Sequence, residues 1–489
     1  MTTQTPPPET AVAEATRIQV GEHHGFDAAG RRYLYLVPSA AVVALDEPAR
    51  ALVDTLGDDR LTREELTSRV APRFPETDVQ ALLMELEQMH VVRPAVTPPP
   101  PSPPIIPLTP FPLTTAVLNV TNQCNLSCTY CYEYSEDKIV DTTTGAQPKF
   151  MSEETARQGI DLLFRESADN RVVHVSFFGG ETLMNYPVLA KAVPYALEQA
   201  ERHGKRVEFN LTTNATLLTS EMIGFLAEHD ISVTVSIDGP REMQDRFRVF
   251  HDGSPSYDVL LPRVQELLAR HQSRPIGARV TLTSEVNDVR AIYQHLTEEI
   301  GFQEVGFAPV TTSAERDHAL NDDGFDRMVA AFKALADDFL AAALDNRHHG
   351  FSNVSETLEE VHKGVSKAYP CGAGLGLMGV ATGGDVGLCH RFAGSDEHRL
   401  GTVNDGIDRD AQRAFLERHH LAHKPDCHSC WARPLCSGGC YHEAHTRYGS
   451  TTHANLHYCD WIREWTDICL RIYGELAERN PDFLRRFEA

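Results

Sequence analysis

The sequence has no apolar run approaching the ~18–20 residues that a helix needs to cross a bilayer, so no membrane span is expected. It also lacks a basic excess: 45 Lys and Arg stand against 69 Asp and Glu, for a formal net charge of −24. A duplex-binding protein would carry a basic face that displaces counterions, so nucleic acid is not an expected partner. Residues 1–15 are polar and rich in Pro, Thr and Glu, without the basic start or apolar segment of a secretory signal. A cytoplasmic chain with a disordered tail over 1–16 is expected. Cysteine is absent between 131 and 371; three of the eleven lie at 124–131 and eight at 371–469. In a reducing compartment such clusters favour metal over disulfide, which points to two separate metal regions.

What is present is ordinary globular composition, with 42% hydrophobic residues in 489, enough for about three domains. Over 17–95 a strand-like stretch, Arg32 to Val37, follows a turn at Asp27–Gly30, and three helical patterns come after it. Thr62 and Glu65 form a capping box at the second. Val79, Leu82, Leu83, Leu86 and Met89 give the third an apolar stripe. This unit resembles a winged helix. DNA binding is disfavoured by 15 Asp and Glu against 9 Arg and no Lys over 1–95. Residues 96–112 are proline-dense and read as a semi-rigid spacer.

From 113 to 346 strand and helix patterns alternate. Strands are expected at 115–121, 172–178, 207–213, 231–237, 278–283 and 304–310, with amphipathic helices between them, such as 153–165 carrying Ala156, Ile160 and Leu163 on one face. Such alternation gives parallel β/α units, whose chemistry gathers at the C-terminal strand ends. After the first strand comes Cys124-Asn125-Leu126-Ser127-Cys128-Thr129-Tyr130-Cys131. Three thiolates suit an iron–sulfur cluster and leave a four-iron cube one protein ligand short; a zinc site would seek a fourth ligand nearby. After the second strand comes Gly179-Gly180-Glu181, where glycines permit close backbone approach and a carboxylate can accept from an ammonium.

The C-x3-C-x2-C loop with Tyr130 before its last cysteine resembles the signature of the radical S-adenosylmethionine (SAM) enzymes. The resemblance implies an α/β fold, a partial (β/α)6 barrel. It also implies a [4Fe–4S] cluster on Cys124, Cys128 and Cys131, with SAM on the open iron and its amino group at Gly179, Gly180 and Glu181. By the same resemblance Asn214, Ser236 and Arg279 would contact the SAM ribose or carboxylate, or the substrate. Alternation of Ile231, Val233, Val235 and Ile237 puts Ser236 and Asp238 on the opposite face, making Asp238 a candidate proton acceptor. The N-terminal unit resembles the peptide-recognition domain of peptide-modifying members, where a leader peptide adds to a strand edge.

The C-terminal cysteines read C-x2-C-x5-C-x3-C over 427–440, and spacing alone leaves zinc and iron both open. Residues 347–489 resemble the SPASM domain, which implies two auxiliary [4Fe–4S] clusters: an outer one on Cys427, Cys430, Cys436 and Cys459, and an inner one on Cys371, Cys389 and Cys440. The inner one has three matched thiolates, so an open iron there could take a substrate cysteine as thiolate. Cys469 is spare and lies in an apolar-periodic helix. Sulfatase-maturing relatives carry Asp where this chain has His390, a second candidate catalytic residue, and that difference weighs against formylglycine formation. The stretches 133–140 and 176–185 resemble most the thioether-forming maturases of quinohemoprotein amine dehydrogenase, related to the six-cysteine-peptide maturases. The implied partners are a substrate polypeptide carrying Cys, Asp or Glu and a leader, and a soluble reductant such as flavodoxin or ferredoxin. Carbon–carbon crosslinking, epimerisation or decarboxylation of a peptide are rival outcomes, and a zinc scaffold that binds peptides is a rival of another class.

Overall fold

The computed structural model describes residues 16–95, 111–134, 137–140 and 147–488. The expected tail, apart from Thr16, and the expected spacer, apart from Phe111 and Pro112, lie outside the described residues. The chain falls into two compact units that divide at residue 102. Among the described residues no helix is long and apolar enough to cross a membrane.

The first unit comprises β1 (Ile18–Val20), β2 (His23–Ala28), β3 (Arg31–Leu36), β4 (Ala41–Leu45), α1 (Glu47–Leu56), α2 (Arg63–Val70), α3 (Glu76–Gln88) and β5 (Val92–Pro94). The turn between β2 and β3 is two residues long, Ala29 and Gly30, both at positive φ, the backbone that matches the twist of a tight hairpin. The Thr62–Glu65 capping box is present. Val79, Leu83 and Leu86 of α3 enter a core with Leu34, Leu36 and Leu52, and Leu82 packs at its margin, whereas Met89 is left exposed. The expected strand, β3, is the centre of a three-stranded antiparallel sheet ordered β2-β3-β4. Its edges are already paired, so the edges left for an added strand are those of β2 and β4.

The second unit opens with β6 (Thr115–Asn119), α4 (Glu153–Glu166), β7 (Val172–Phe178), α5 (Tyr186–His203), β8 (Arg206–Thr213), α6 (Ser220–Glu228), β9 (Ser232–Ser236), α7 (Arg241–Phe247), α8 (Tyr257–Arg270), β10 (Gly277–Leu282), α9 (Val289–Gln294) and β11 (Glu304–Pro309). Strands β6 to β11 pair in sequence order, each parallel to the next, as six β/α units require. The strands are buried on alternate residues: Val173, Val175 and Phe177 on β7, Val233 and Val235 on β9, Ala278, Val280 and Leu282 on β10. Parallel strands ordinarily bury both faces. Here the inner face carries Ser176, Thr234, Ser236, Arg279 and Thr281 instead, so the lumen is polar and left open.

After α10 (Asp322–Leu344) and α11 (Ser352–His362), the chain adds β12 (Leu377–Val380), β13 (Asp385–Gly387), β14 (Arg399–Thr402), β15 (Gly406–Ile407), α12 (Arg409–His419), α13 (Arg433–Cys436), α14 (Tyr441–Tyr448) and α15 (Cys459–Arg479). No gap marks the boundary expected at 346. β12 pairs parallel with β6, and β13 to β15 continue antiparallel, giving a ten-stranded sheet. The edge of β6 would otherwise expose unpaired backbone groups. The same contact places a cysteine: a Cβ on Gly379 of β12 would lie 2.4 Å from the carbonyl oxygen of Cys389.

Ser152 caps α4 by accepting from the Thr155 N–H, and Ile160 of α4 is fully buried beside Ala156 and Leu163. Ile160→Ala should cost about 2–5 kcal/mol. It is read as a lower urea midpoint by the fluorescence of Trp431, Trp461 and Trp465, which all lie in this unit. An unchanged midpoint would mean that α4 is not packed as described.

Candidate active site

The loop after β6 holds Cys124, Cys128 and Cys131, each half-buried. Backbone N–H groups are turned onto the sulfurs: that of Leu126 serves Cys124, and those of Glu133 and Tyr134 serve Cys131. The Arg248 guanidinium donates to Cys128, and Asn214 Nδ2 lies 3.9 Å from Cys124 Sγ. Burial raises all three thiols, that of Cys131 up to about 12, and each of Cys124 and Cys131 is raised further by the thiolate charge of Cys128. The cysteines are thus close enough to sense one another's charge. Among the described residues, though, no three His, Cys, Asp or Glu side chains converge tightly enough to cage a single ion. Mutually near thiols ringed by N–H donors fit an iron–sulfur cluster, whose sulfurs accept such bonds and whose iron offsets the thiolate charge.

The Gly-Gly-Glu turn is pressed against this loop. Gly179 and Gly180 have φ of +97° and +27°, and Cβ atoms there would lie 2.3 Å from the Thr121 carbonyl oxygen and 2.0 Å from that of Gln123. What the glycines admit is therefore the backbone leading into Cys124. The Glu181 N–H donates to the Gln123 carbonyl (2.9 Å) and the Gly180 N–H to Glu133 Oε2 (3.2 Å). Glu181 itself is 1% exposed. Its carboxylate accepts from the Leu183 N–H (3.0 Å), the Thr213 hydroxyl (2.6 Å) and the Asn214 N–H (2.7 Å). Burial raises its pKa and these bonds lower it. A carboxylate offers about four acceptor positions, so one remains for a ligand ammonium.

Asn214 is fully engaged: Nδ2 donates to Asn125 Oδ1 (3.0 Å), and Oδ1 accepts from the N–H and hydroxyl of Thr216 (2.9 and 2.6 Å). It braces the cysteine loop. Asp238 departs from the expected proton acceptor. It is 0% exposed and lies beneath the cavity, not on its wall. Its carboxylate takes the Tyr130 hydroxyl, Arg248 Nε (2.9 Å) and the Thr281 N–H (3.0 Å). β9 ends at Ser236, and the alternation that would aim Asp238 inward ends with it. The residues that sequence reasoning missed here are Arg248, Glu133 and Thr213. Arg248 is joined to Asp238 across α7, a separation with no periodic signature.

A cavity of about 510 Å³ opens between the cysteine loop, the ends of β7 to β11, and His390 and Arg391. Ser236 and Arg279 line it, as do Gly179 to Glu181 and Asn214. The Arg391 guanidinium lies 4.4 Å from the Tyr132 ring centroid and donates to the Thr311 hydroxyl (3.0 Å). Among the described residues no carboxylate is within ion-pairing distance of Arg279 or Arg391; Glu356 attracts Arg279 from farther off, while Arg391 repels it. The His390 ring lies 4.3 Å from that of Phe178 and is pushed down to about 3 by burial and the Arg391 charge, so it is neutral. Glu133 is pushed up to about 7 by burial.

The C-terminal cysteines form two neighbourhoods. Cys389 senses Cys371 and Cys440, and Cys427 senses Cys430, Cys436 and Cys459. In the first group the backbone N–H groups of Ala373 and Arg391 are turned onto Cys371 and Cys389, and in the second that of Gly438 is turned onto Cys436. Burial raises Cys389 to about 12 and Cys427 to about 11. Cys469 is fully buried in α15 with Thr357 as its hydrogen-bond partner, apart from both groups.

Residues 118–296 match the family model of the Radical SAM superfamily. An uncharacterized protein of Methanocaldococcus jannaschii is 34% identical over 140 residues, 29% of this chain and 43% of that protein. The serine-type anaerobic sulfatase-maturating enzyme of Bacteroides thetaiotaomicron is 31% identical over 204 residues, 41% of this chain and 46% of the enzyme. The chain thus spans less than half the length of these two relatives. Among solved structures, native anSMEcpe with bound AdoMet and Cp18Cys peptide matches with a TM-score of 0.61 and 20% identity, covering 77% of this chain and 99% of that one. The six-stranded parallel barrel, matched by that family model over its first five strands, has the radical SAM α/β fold.

Proposed function

We propose that this chain is a radical SAM maturase that forms thioether crosslinks between Cys sulfur and a methylene carbon of Asp or Glu in a substrate polypeptide. The finer assignment, to the small subunit of quinohemoprotein amine dehydrogenase, rests on the resemblance of stretches 133–140 and 176–185. The observation that carries the reading is the cavity between the 124–131 loop and the Cys389–Arg391 segment, with two guanidiniums that no carboxylate of the described chain pairs. Arg279 is open to the cavity and Arg391 partly so, and a guanidinium without a counter-charge is a ready partner for a carboxylate ligand.

Cys124, Cys128 and Cys131 would hold the site cluster, and the Gly179–Glu181 turn the SAM amino group. When bound, these cofactors supply a carbon radical that abstracts hydrogen, and auxiliary clusters on the C-terminal cysteines accept the surplus electron. Arg279 is suited to the SAM carboxylate, from the β10 side of the lumen. Arg391, beside Cys389, is suited to the acidic side chain of the substrate, and brings its methylene near a cysteine held at the Cys371, Cys389 and Cys440 group. His390 lies on that wall as a neutral imidazole, where sulfatase-maturing relatives carry a carboxylate. The edges of β2 and β4 in the first unit are the places for a leader strand.

Anaerobically reconstituted, dithionite-reduced protein should release 5′-deoxyadenosine from SAM, and Cys128→Ala should abolish the release. Protein that takes up only zinc, colourless rather than brown, would sink the enzyme reading. With a co-encoded polypeptide rich in Cys and Asp or Glu, each crosslink removes two hydrogens. A product of unchanged mass would favour epimerisation instead. Arg391→Gln should weaken that polypeptide's binding by roughly 10- to 100-fold, as expected for losing a charge-assisted hydrogen bond of ~1.5–3 kcal/mol. SAM binding should be unchanged, and equal loss of both ligands would remove Arg391 from substrate recognition.

A further inference from the structure

Lys424 is 3% exposed, which is unusual for a lysine without a carboxylate partner, and among the described residues none is within ion-pairing distance of it. It sits where the two C-terminal cysteine groups meet. Its Nζ donates to the carbonyl of Ser437 (3.1 Å), the residue after Cys436, and lies 5.5 Å from the ring centroid of Tyr441, the residue after Cys440. Its own carbonyl accepts from the Cys427 N–H (3.0 Å). The backbone makes room for the ammonium: Gly438 has φ +86°, and a Cβ there would lie 2.7 Å from Nζ. Burial pulls the Lys424 pKa down, and the negative charges that oppose this are the thiolates of Cys427 and Cys436 from one group and of Cys371 and Cys440 from the other. An ammonium has three donors, and the Ser437 carbonyl uses one.

We propose that Lys424 is the shared counter-cation of the two C-terminal cysteine groups and raises the reduction potential of the iron–sulfur centres that both groups hold. This rests on the reading that those cysteines bind clusters. Adding an electron to a thiolate-bound centre adds negative charge, and a fixed cation in a low-dielectric interior stabilises the more negative state. Because one ammonium serves both groups, its loss moves both centres in the same direction. Lys424 is a positioning residue by this account, acting on charge and not on substrate.

The test uses the full chain with Cys124, Cys128 and Cys131 replaced by Ala, reconstituted with iron and sulfide, so that signals come from the C-terminal centres alone. Iron per chain is measured, and midpoint potentials are read by redox titration followed by electron paramagnetic resonance. Lys424→Gln should shift both centres to lower potential, and Lys424→Arg, which keeps the charge, should stay near the parent. If Lys424→Gln fails to retain iron while Lys424→Arg retains it, the need for charge is upheld. Unchanged potentials in Lys424→Gln, equal shifts in both variants, or loss of iron from both would overturn the proposal in favour of packing. A parent protein that binds zinc and no iron at these cysteines would overturn the iron–sulfur reading itself, and the proposal with it.

Discussion

The carbonyl of Gln123 stands so close to Gly180 that no side chain fits between them, and the site is built around that contact. It ties the end of β7 to the residue just before Cys124. From the same turn, Glu181 ties down the end of β8 through Thr213 and the Asn214 backbone. Asn214 in turn holds Asn125 and reaches Cys124. The loop is therefore positioned by a closed circuit of bonds among three strand ends. Hydrogen bonds to a charged group contribute about 1.5–3 kcal/mol each, and the three on Glu181 offset the cost of burying its carboxylate.

A second tie works by charge. Arg248 and Asp238 form an ion pair whose side chains are 10% and 0% exposed, with Tyr130 on Asp238 and Cys128 on Arg248. Breaking such a pair strands a buried charge at about 3–5 kcal/mol. The pair thus fixes Tyr130 and Cys128 together, at the two ends of one short loop segment. The Asp238 carboxylate is thus engaged by three groups that shape the loop, Tyr130, Arg248 and the Thr281 N–H.

The barrel was legible because its information is local. Period-two burial on β7, β9 and β10 marks the strands, and the cysteine spacing and the glycine pair lie within a few residues of their partners. What was not legible depends on distant pairing. β1 and β5 are three residues each and exist only because they pair with one another across the first unit. β12 joins the barrel through β6, more than two hundred residues earlier, a pairing that no local pattern announces. Asp238 lies beyond the end of β9, where strand alternation no longer says which way a side chain faces. The glycines at 179 and 180 were legible as a close approach, but the sequence could not say that the approaching group was the chain itself.

Net charge proves a poor guide to the site for a related reason. Some surface acids sit in pairs with neighbouring arginines, such as Glu153 with Arg157 and Glu266 with Arg270, each contributing little and screened by salt. The cations that matter line the cavity or the C-terminal cysteine groups. Arg279 and Arg391 face the cavity and Lys424 lies between the C-terminal cysteines, all without a carboxylate partner within pairing distance among the described residues. Screening acts weakly on an enclosed charge such as that of Lys424. A chain with a formal charge of −24 can therefore present cations on a cavity wall to an anionic ligand.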